Sequence, residues 1–287
     1  MTTSKKTSKK QSSFRPRKQF GQHWLKDERV LEQIIWTAEL GEDDRVLEIG
    51  PGMGVLTAKL LPEVAALVAV EIDRDLCKKL VHKYGDRSDF LLAQDDFLKL
   101  DLDTLLQNFP KFQQPNKVVA NIPYNITGPI LTKLLGKIAT PAPQRYESIV
   151  LLVQKEVGER LVAVPGTKAF GALSIRVQYL ADCELICDVP ARAFYPPPKV
   201  DSVVVKLSPR AIATPADNPR QLETLIKLGF ANRRKMLRKN LKSLIDLAQI
   251  NQLLEKLGFN PQCRAEDLTL ENWIILSNNF EPAKQDK

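Results

Sequence analysis

Residues 45–56 read RVLEIGPGMGVL, a short apolar run that stops at a cluster of glycines before apolar residues resume. This pattern predicts a buried strand at Arg45–Ile49, a tight turn, and a helix that begins near Val55. Glycines in such a turn let a ligand approach the backbone closely. The segment therefore predicts a ligand-binding turn at the carboxyl end of a strand.

Apolar runs and helical spacing alternate on both sides of this turn, beginning with a helix-like stretch at Gln33–Ala38. Strands that alternate with helices favour right-handed crossovers and a mainly parallel, doubly wound α/β sheet. Two later runs, Cys183–Val189 and Ser202–Leu207, flank a proline-rich turn and are expected to end the sheet as an antiparallel pair. The other predicted strands are Ala66–Glu71, Asp89–Leu92, Lys117–Asn121 and Ser148–Val153.

The composition changes around Ser208–Pro219, where Pro, Ala, Thr and Asn dominate. Beyond this stretch, apolar residues recur at helical spacing, and Gly258 follows the last such stripe as a helix stop. We therefore predict an α/β domain over residues 17–210 and a smaller helical domain over residues 211–287.

The chain is basic, with 42 Lys and Arg against 34 Asp and Glu and a net charge of +8. Such a charge favours a polyanionic partner such as RNA. Residues 1–16 carry many basic residues and no acid, which predicts a disordered tail. An RNA-binding arm and a targeting peptide are the alternatives for this tail.

The 287 residues contain four cysteines and two histidines, without a CxxC pair or the spacing of a zinc site. No apolar run approaches the ~18 residues of a membrane span, and no secretory signal is recognisable. We therefore expect a cytoplasmic monomer with reduced thiols, no metal and no membrane partner.

Glu71 ends the second predicted strand about twenty residues after the glycine turn. An acid there can accept hydrogen bonds from a ribose diol, which indicates a nucleoside ligand. Gly50 and Gly52 belong to a series at alternate positions, and Val55 stands where a dinucleotide fingerprint has its third glycine. The pattern fits S-adenosylmethionine better than NAD. Asp95, after the third strand, could bind the cofactor's adenine amine or cap a helix.

The segment Asn121-Ile122-Pro123-Tyr124 follows the predicted fourth strand and matches a need of amine methylation. An adenine amine is a poor nucleophile because its lone pair is delocalised into the ring. If the oxygen of Asn121 and a main-chain carbonyl accept its two N–H bonds, the nitrogen can direct its lone pair at a sulfonium methyl. Pro123 would stiffen the turn, and Tyr124 could stack an extruded base. An ordinary proline turn with a buried tyrosine is the alternative.

The stretch 232–240 carries five basic residues and no acid. On a helix, the four-residue spacing places these cations in pairs on one face, where they repel each other unless an anion neutralises them. A solvated helix face is the alternative, but it would favour interleaved acids. The stretch predicts an RNA-binding helix through Arg233, Arg234, Lys235, Arg238 and Lys239.

Four ordered motifs combine into a specific pattern: the glycine turn, residues 121–124, the segment KQFGQHWL at 18–25 and the segment FYPPPKVDS at 194–202. Together they resemble the rRNA adenine N6-methyltransferase family, and within it the branch that acts on small-subunit RNA. The resemblance implies a class I S-adenosylmethionine-dependent methyltransferase fold. It also implies N6,N6-dimethylation of two adjacent adenosines near the 3′ end of small-subunit (16S) rRNA, presented as RNA or as a pre-30S particle.

The resemblance also implies roles for particular residues. The cofactor contacts would be His23, Leu25, Gly50, Glu71, Asp95 and Asn121, with Gly52 in the glycine turn, and Phe194 would be a second stacking face for the base. The family usually has Asn where this chain has His23, so a histidine that only packs on Trp24 is the alternative. Three other functions stay open: a 23S rRNA methyltransferase, a non-catalytic RNA-binding assembly factor, and an NAD oxidoreductase.

Overall fold

The computed structural model describes residues 17, 21–143, 145–212 and 214–280. The predicted basic tail, residues 1–16, lies outside the described residues. The strands are β1 (Trp24–Leu25), β2 (Arg45–Ile49), β3 (Ala66–Glu71), β4 (Phe90–Gln94), β5 (Lys117–Asn121), β6 (Ser148–Gln154), β7 (Ala181–Val189), β8 (Phe194–Tyr195) and β9 (Ser202–Pro209). The helices are α1 (Glu28–Ala38), α2 (Val55–Leu60), α3 (Arg74–Tyr84), α4 (Leu102–Leu106), α5 (Thr127–Leu135), α6 (Lys155–Leu161), α7 (Ala172–Leu180), α8 (Pro219–Gly229), α9 (Leu237–Leu241), α10 (Leu247–Lys256) and α11 (Leu270–Asn278).

Within the described ranges, one sheet has seven strands in the order β4-β3-β2-β5-β6-β9-β7. Strands β4, β3, β2, β5 and β6 are parallel, and β9 is antiparallel to both β6 and β7. The predicted α/β sheet and its terminal antiparallel pair are confirmed. The observed β4 runs two residues beyond the predicted strand, because Ala93 and Gln94 continue the pairing with β3.

The central strands are buried because helices cover both faces of the sheet. All six residues of β3 are buried, as expected for a parallel strand rich in Val, Ala and Leu. Two helices that pack on the sheet begin at aspartate caps: Asp27 accepts a hydrogen bond from the amide of Arg29, and Asp73 from the amide of Asp75. These caps fix where the chain turns from strand to helix.

The C-terminal helices α8 to α11 pack against the α/β part through a common apolar core. Buried side chains of Leu225, Leu254 and Trp273 belong to the same cluster as Tyr179 of α7 and Val205 of β9. Gly258, predicted as a helix stop, has a φ of 80° two residues after α10 ends. The domain boundary near residue 210 stays a prediction.

The strand order places a crevice at the carboxyl ends of β2, β3 and β5. After β2 the chain forms β3 and β4 on one side, and then returns to form β5 on the other side. Ligands of open α/β sheets bind at such a reversal of strand order. None of the helices in the described part of the chain is long and apolar enough to span a membrane.

Candidate active site

A cleft with about 1030 Å³ of space, part of it open to solvent, lies at the carboxyl ends of β2, β3 and β5. With the exception of Phe194, every residue predicted to bind cofactor or act in catalysis lines this cleft. These residues are His23, Leu25, Gly50, Gly52, Glu71, Asp95, Asn121, Pro123 and Tyr124. Residues that the chain separates by about a hundred positions thus share one site.

The glycine turn holds a backbone conformation that other residues rarely adopt. Gly52 has a φ of 59°, and a Cβ atom added there would lie 2.9 Å from Cδ1 of Trp24. Gly54 has a φ of 72°, and a Cβ atom there would lie 2.8 Å from Cδ2 of Leu80. Helix α2 begins at the next residue, Val55, as predicted. Gly50 and Gly52 line the cleft with bare backbone, whereas Gly54 packs on Leu80.

Glu71 ends β3 with a carboxylate that is only 5% exposed. Its Oε2 accepts a hydrogen bond from the amide of Gly52 at 3.1 Å, and its Oε1 accepts one from the amide of Asp73 at 2.8 Å. Burial raises the pKa of Glu71, and the backbone hydrogen bonds act against that rise. Each oxygen keeps a further lone pair for a hydroxyl group in the cleft.

Glu48 also lines the cleft, and the sequence analysis did not single it out. Its carboxyl is 1% exposed and accepts a hydrogen bond from Oγ1 of Thr57 at 2.6 Å. Burial raises the pKa of Glu48 to about 8, against the lowering effect of that hydrogen bond. An acid inside an apolar strand was the signal that could have identified it.

Asn121 ends β5, and its amide group is oriented by the chain segment before β1. Nδ2 of Asn121 donates a hydrogen bond to the main-chain carbonyl of His23 at 3.0 Å. Because the amide nitrogen is engaged there, Oδ1 is left as the acceptor for an N–H group in the cleft.

The rings of His23 and Tyr124 are stacked, with centroids 5.9 Å apart and an interplanar angle of 15°. Nδ1 of His23 is 2.7 Å from the carbonyl oxygen of Pro196, so Nδ1 carries the proton. The hydroxyl of Tyr124 lies 2.5 Å from Oγ of Ser202. Burial raises the pKa of Tyr124, so the phenol is neutral near pH 7. The ring of His23 therefore lines the cleft and also contacts Tyr124, the residue predicted to stack the base that accepts the methyl group.

Asp95 follows β4 at the rim of the cleft. Its amide donates to the carbonyl of Glu71 at 3.0 Å, and its Oδ1 accepts from the amide of Asp96 at 2.7 Å. Asp96 makes a capping contact, because its Oδ1 accepts a hydrogen bond from the amide of Leu98 at 3.0 Å, although the segment that follows is a turn and the next helix, α4, is capped by Asp101.

Phe194 is the one predicted site residue that the structure does not bring to the cleft. Its ring is 1% exposed and packs in the apolar cluster that contains Leu25, its partner across the β1–β8 pair. In this arrangement the ring has no free face for a base. The neighbouring residue, Tyr195, is 58% exposed.

The basic stretch does not form the single helix that its spacing predicts, and this expectation is corrected. Helix α9 begins at Leu237, and residues 231–235 form turns, so Arg234 and Arg238 do not share one helix. The reason is tertiary: the amide of Leu237 donates to the carbonyl of Cys263 at 2.8 Å instead of to a carbonyl one turn earlier. Four of the five cations nevertheless remain exposed: Arg233, Arg234, Lys235 and Lys239.

Arg233 and Arg238 both contact the protein, Arg238 through Sδ of Met236 at 3.7 Å and Arg233 through three groups. The guanidinium of Arg233 donates to the carbonyls of Lys168 and Phe170, at 2.8 Å each, and forms an ion pair with Glu266 at 3.4 Å. The loop between α6 and α7 is thereby joined to the basic turn, which we define as residues 231–239.

The cysteines carry no chemistry in this arrangement. All four are free, and burial raises the pKa of the Cys77 and Cys183 thiols to about 12, so they are poor nucleophiles. Within the described ranges, no group of three or more His, Cys, Asp or Glu side chains is placed to bind a metal ion.

Comparisons with known proteins agree with the geometry of the cleft. A family model described as ribosomal RNA adenine dimethylase matches residues 13–281. The ribosomal RNA small subunit methyltransferase A of Trichormus variabilis is 63% identical over 264 residues, which cover 92% of this chain and 97% of that relative.

Solved structures give the same result. A dimethyladenosine transferase from Plasmodium falciparum has a TM-score of 0.73 at 28% identity, covering 88% of this chain and 96% of that chain. The 23S rRNA methyltransferase ErmE has a TM-score of 0.68 at 25% identity, covering 89% of this chain and 98% of that chain. The sheet is thus the Rossmann-like sheet of class I methyltransferases. The chain belongs to the ribosomal RNA adenine dimethylase family.

Proposed function

We propose that this protein transfers methyl groups from S-adenosylmethionine to the N6 amines of two adjacent adenosines near the 3′ end of small-subunit (16S) rRNA, yielding N6,N6-dimethyladenosine. The relative from Trichormus variabilis is named for the small ribosomal subunit, and 92% of this chain is covered by that match. The protein is an rRNA adenine dimethyltransferase that contributes to ribosome biogenesis.

The orientation of Asn121 is the observation that carries the proposal. Its amide nitrogen is engaged by the carbonyl of His23, and it lies in the same cleft as Gly52 and Glu71. An acceptor oxygen beside a nucleoside-binding turn is what an adenine amine needs, because accepting its N–H bonds lets the nitrogen become pyramidal.

The residues on the β3 side of the cleft fit S-adenosylmethionine. The left-handed glycine turn brings the backbone of Gly50 and Gly52 to the wall of the cleft, and the carboxylate of Glu71 is held so that its remaining lone pairs can accept from ribose hydroxyls. Asp95 would accept from the adenine amine, and Leu25 and His23 would contact the methionine part. When bound, the cofactor supplies an electrophilic methyl group on a sulfonium.

The residues on the β5 side fit the acceptor base. Asn121 would hold the amine, Pro123 would keep the turn rigid, and Tyr124 would stack the extruded adenine. The amine loses a proton after the new nitrogen–carbon bond has formed. Phe194 would be a second stacking face only after a rearrangement that exposes its ring.

The helical region 211–287 would supply the RNA-binding surface. Arg234, Lys235, Arg238 and Lys239 would contact phosphates of the RNA, while Arg233 would hold the basic turn through its bonds to the carbonyls of Lys168 and Phe170. We further propose that the protein acts as a cytoplasmic monomer, without metal or membrane, on free rRNA or on a pre-30S particle.

The experiment that tests this function uses purified full-length protein, labelled S-adenosylmethionine, and unmethylated small-subunit RNA or particles. We expect mass spectrometry of the digested RNA to show N6,N6-dimethyladenosine at the two adjacent positions. A product on large-subunit RNA instead would favour the 23S alternative. Binding of small-subunit RNA without any methyl transfer would favour the non-catalytic assembly factor.

A further inference from the structure

The two-stranded pair of β1 and β8 sorts its four side chains onto two faces. The register places Trp24 opposite Tyr195 and Leu25 opposite Phe194. Residues directly opposite each other in an antiparallel pair point to the same face. Leu25 and Phe194 are 5% and 1% exposed, so their face is the buried one. Tyr195 therefore points to the same side as Trp24.

Both residues of β1 border the cleft, Leu25 from the buried face of the pair and Trp24 from the face that it shares with Tyr195. Trp24 lines the cleft and lies against Gly52 of the glycine turn. Tyr195 is 58% exposed and is not among the residues that line the cleft. The residue after it, Pro196, accepts a hydrogen bond from His23, whose ring stacks on Tyr124. Tyr195 thus lies at the rim, beside the acceptor part of the cleft.

Exposed cations stand close to Tyr195 along the two strands. Arg192 and Lys199 flank it in sequence, and Lys26 lies across the pair because its amide donates to the carbonyl of Ala193 at 2.9 Å. None of these three side chains forms an ion pair with a described residue. The nearby acid Asp201 accepts a hydrogen bond from the amide of Ala191.

Resting on the proposed function, we propose that Tyr195 is a stacking platform for the nucleotide next to the target adenosine, and that Lys26, Arg192 and Lys199 bind the flanking phosphates. An adenosine that enters the cleft leaves its stack, so its neighbour loses one stacking partner. An exposed aromatic ring at the rim replaces that partner. Aromatic rings among unpaired cations are the usual composition of surfaces that bind single-stranded nucleic acid.

Another exposed aromatic side chain provides a matched control. Trp36 of α1 is 76% exposed, and the carbonyl of Glu39 just after that helix accepts a hydrogen bond from Lys117, the first residue of β5. Trp36 therefore lies toward the amino ends of the strands, opposite the cleft. Its loss changes the exposed aromatic surface without changing the rim.

The test compares four full-length proteins: wild type, Tyr195→Ala, Tyr195→Phe and Trp36→Ala. Each is given small-subunit RNA whose 3′ part is synthetic, with the nucleotide on either side of one target adenosine kept normal or made abasic. Methyl transfer to the target is measured as kcat/KM by mass spectrometry. On normal RNA, we expect Tyr195→Ala to lower kcat/KM about 10-fold, and Tyr195→Phe and Trp36→Ala to leave it nearly unchanged.

The abasic RNA identifies the contact, because removal of the Tyr195 ring cannot lower kcat/KM further when the base on which it stacks is already absent. At one of the two neighbouring positions, removal of the base should give wild type and Tyr195→Ala the same kcat/KM. The proposal that Tyr195 is a stacking platform would be overturned if Tyr195→Ala lowered kcat/KM equally on normal RNA and on both abasic RNAs. It would also be overturned if Tyr195→Ala did not lower kcat/KM on normal RNA. Wild-type protein that transfers no methyl group to any of these RNAs would instead overturn the proposed function.

Discussion

The amide of Asn121 is hydrogen-bonded through its nitrogen to the carbonyl of His23, 3.0 Å away, although 98 positions separate the two residues. We expect Asn121→Ala to lower kcat for methyl transfer by at least ~100-fold, because no oxygen is left to accept the amine N–H. Single-turnover transfer of a labelled methyl group measures this.

The matching variant is Asn121→Asp, which keeps an oxygen toward the cleft but turns a second oxygen toward the carbonyl of His23. Repulsion between these two acceptors should leave Asn121→Asp nearly as inactive as Asn121→Ala. Both should bind S-adenosylmethionine and unfold within a few degrees of wild type. Wild-type turnover in Asn121→Ala would refute the role of the amide.

His23 contacts the site through its imidazole ring and through its main-chain carbonyl, and a substitution can remove the ring contacts alone. His23→Ala removes the stacking on Tyr124 and the hydrogen bond to Pro196 but keeps the carbonyl that orients Asn121. We expect a loss of about 30-fold in kcat/KM, since two contacts are lost and each is worth about 1 kcal/mol. Steady-state kinetics on the same RNA measure it, and a loss as large as that of Asn121→Ala would contradict this division.

The glycine turn can be tested with two glycines of different surroundings. Gly52→Ala places a Cβ atom at a left-handed φ and 2.9 Å from Trp24, so we expect S-adenosylmethionine to bind at least ~10-fold more weakly. Gly128→Ala, in α5, meets no atom within 4 Å and should bind the cofactor normally. Calorimetric titration compares the two, and equal affinity in both variants would contradict the role of the turn.

The buried carboxyl of Glu48 makes folding stability depend on pH. Its pKa is about 8 in the folded protein against an ordinary value of 4.5, so the folded state retains a proton that the unfolded state releases between these values. The stabilisation is complete below pH ~4.5 and is lost as pH rises toward ~8, at roughly 1 kcal/mol per pH unit.

Glu48→Gln stays neutral at every pH and can still accept the hydrogen bond from Thr57. Urea unfolding between pH 5 and 8 should therefore show a less negative slope of the free energy of unfolding in the variant than in wild type. Parallel curves would mean that Glu48 is ionised in the folded protein.

Arg233 and Arg234 are neighbours with different contacts, and salt dependence tells them apart. Arg234→Ala should reduce the slope of log K against log salt for RNA binding by about 1, because one phosphate contact is lost. Arg233→Ala should leave the slope unchanged but lower the free energy of unfolding by about 2 kcal/mol, since its bonds to Lys168, Phe170 and Glu266 are internal. Filter binding and urea unfolding provide the two measurements.

Features with a local cause were predictable from the sequence. The turn at 50–54, the strand that precedes it and the helix from Val55 depend on neighbouring residues alone. The carboxyl ends of parallel strands share one edge of a sheet, so Glu71, Asp95 and Asn121 could be expected in one cleft.

Features that depend on distant pairing could not be predicted. Which of Phe194 and Tyr195 is buried and which is exposed is set by pairing with β1, about 170 positions earlier. The start of α9 at Leu237, within the predicted basic helix, depends on the carbonyl of Cys263, which no local pattern indicates. The protonated state of Glu48 follows from how completely helices cover its strand.

The common interior of the sheet and the C-terminal helices has a geometric consequence. Because Trp273 and Leu225 are buried in one cluster with Tyr179, the basic turn cannot move relative to the cleft without exposing apolar surface. The distance between the basic turn and Asn121 is therefore fixed by the packing of this interior. An RNA that engages both at once would have to present its phosphates and its reactive base at that distance, so we expect the choice of substrate to depend on tertiary shape.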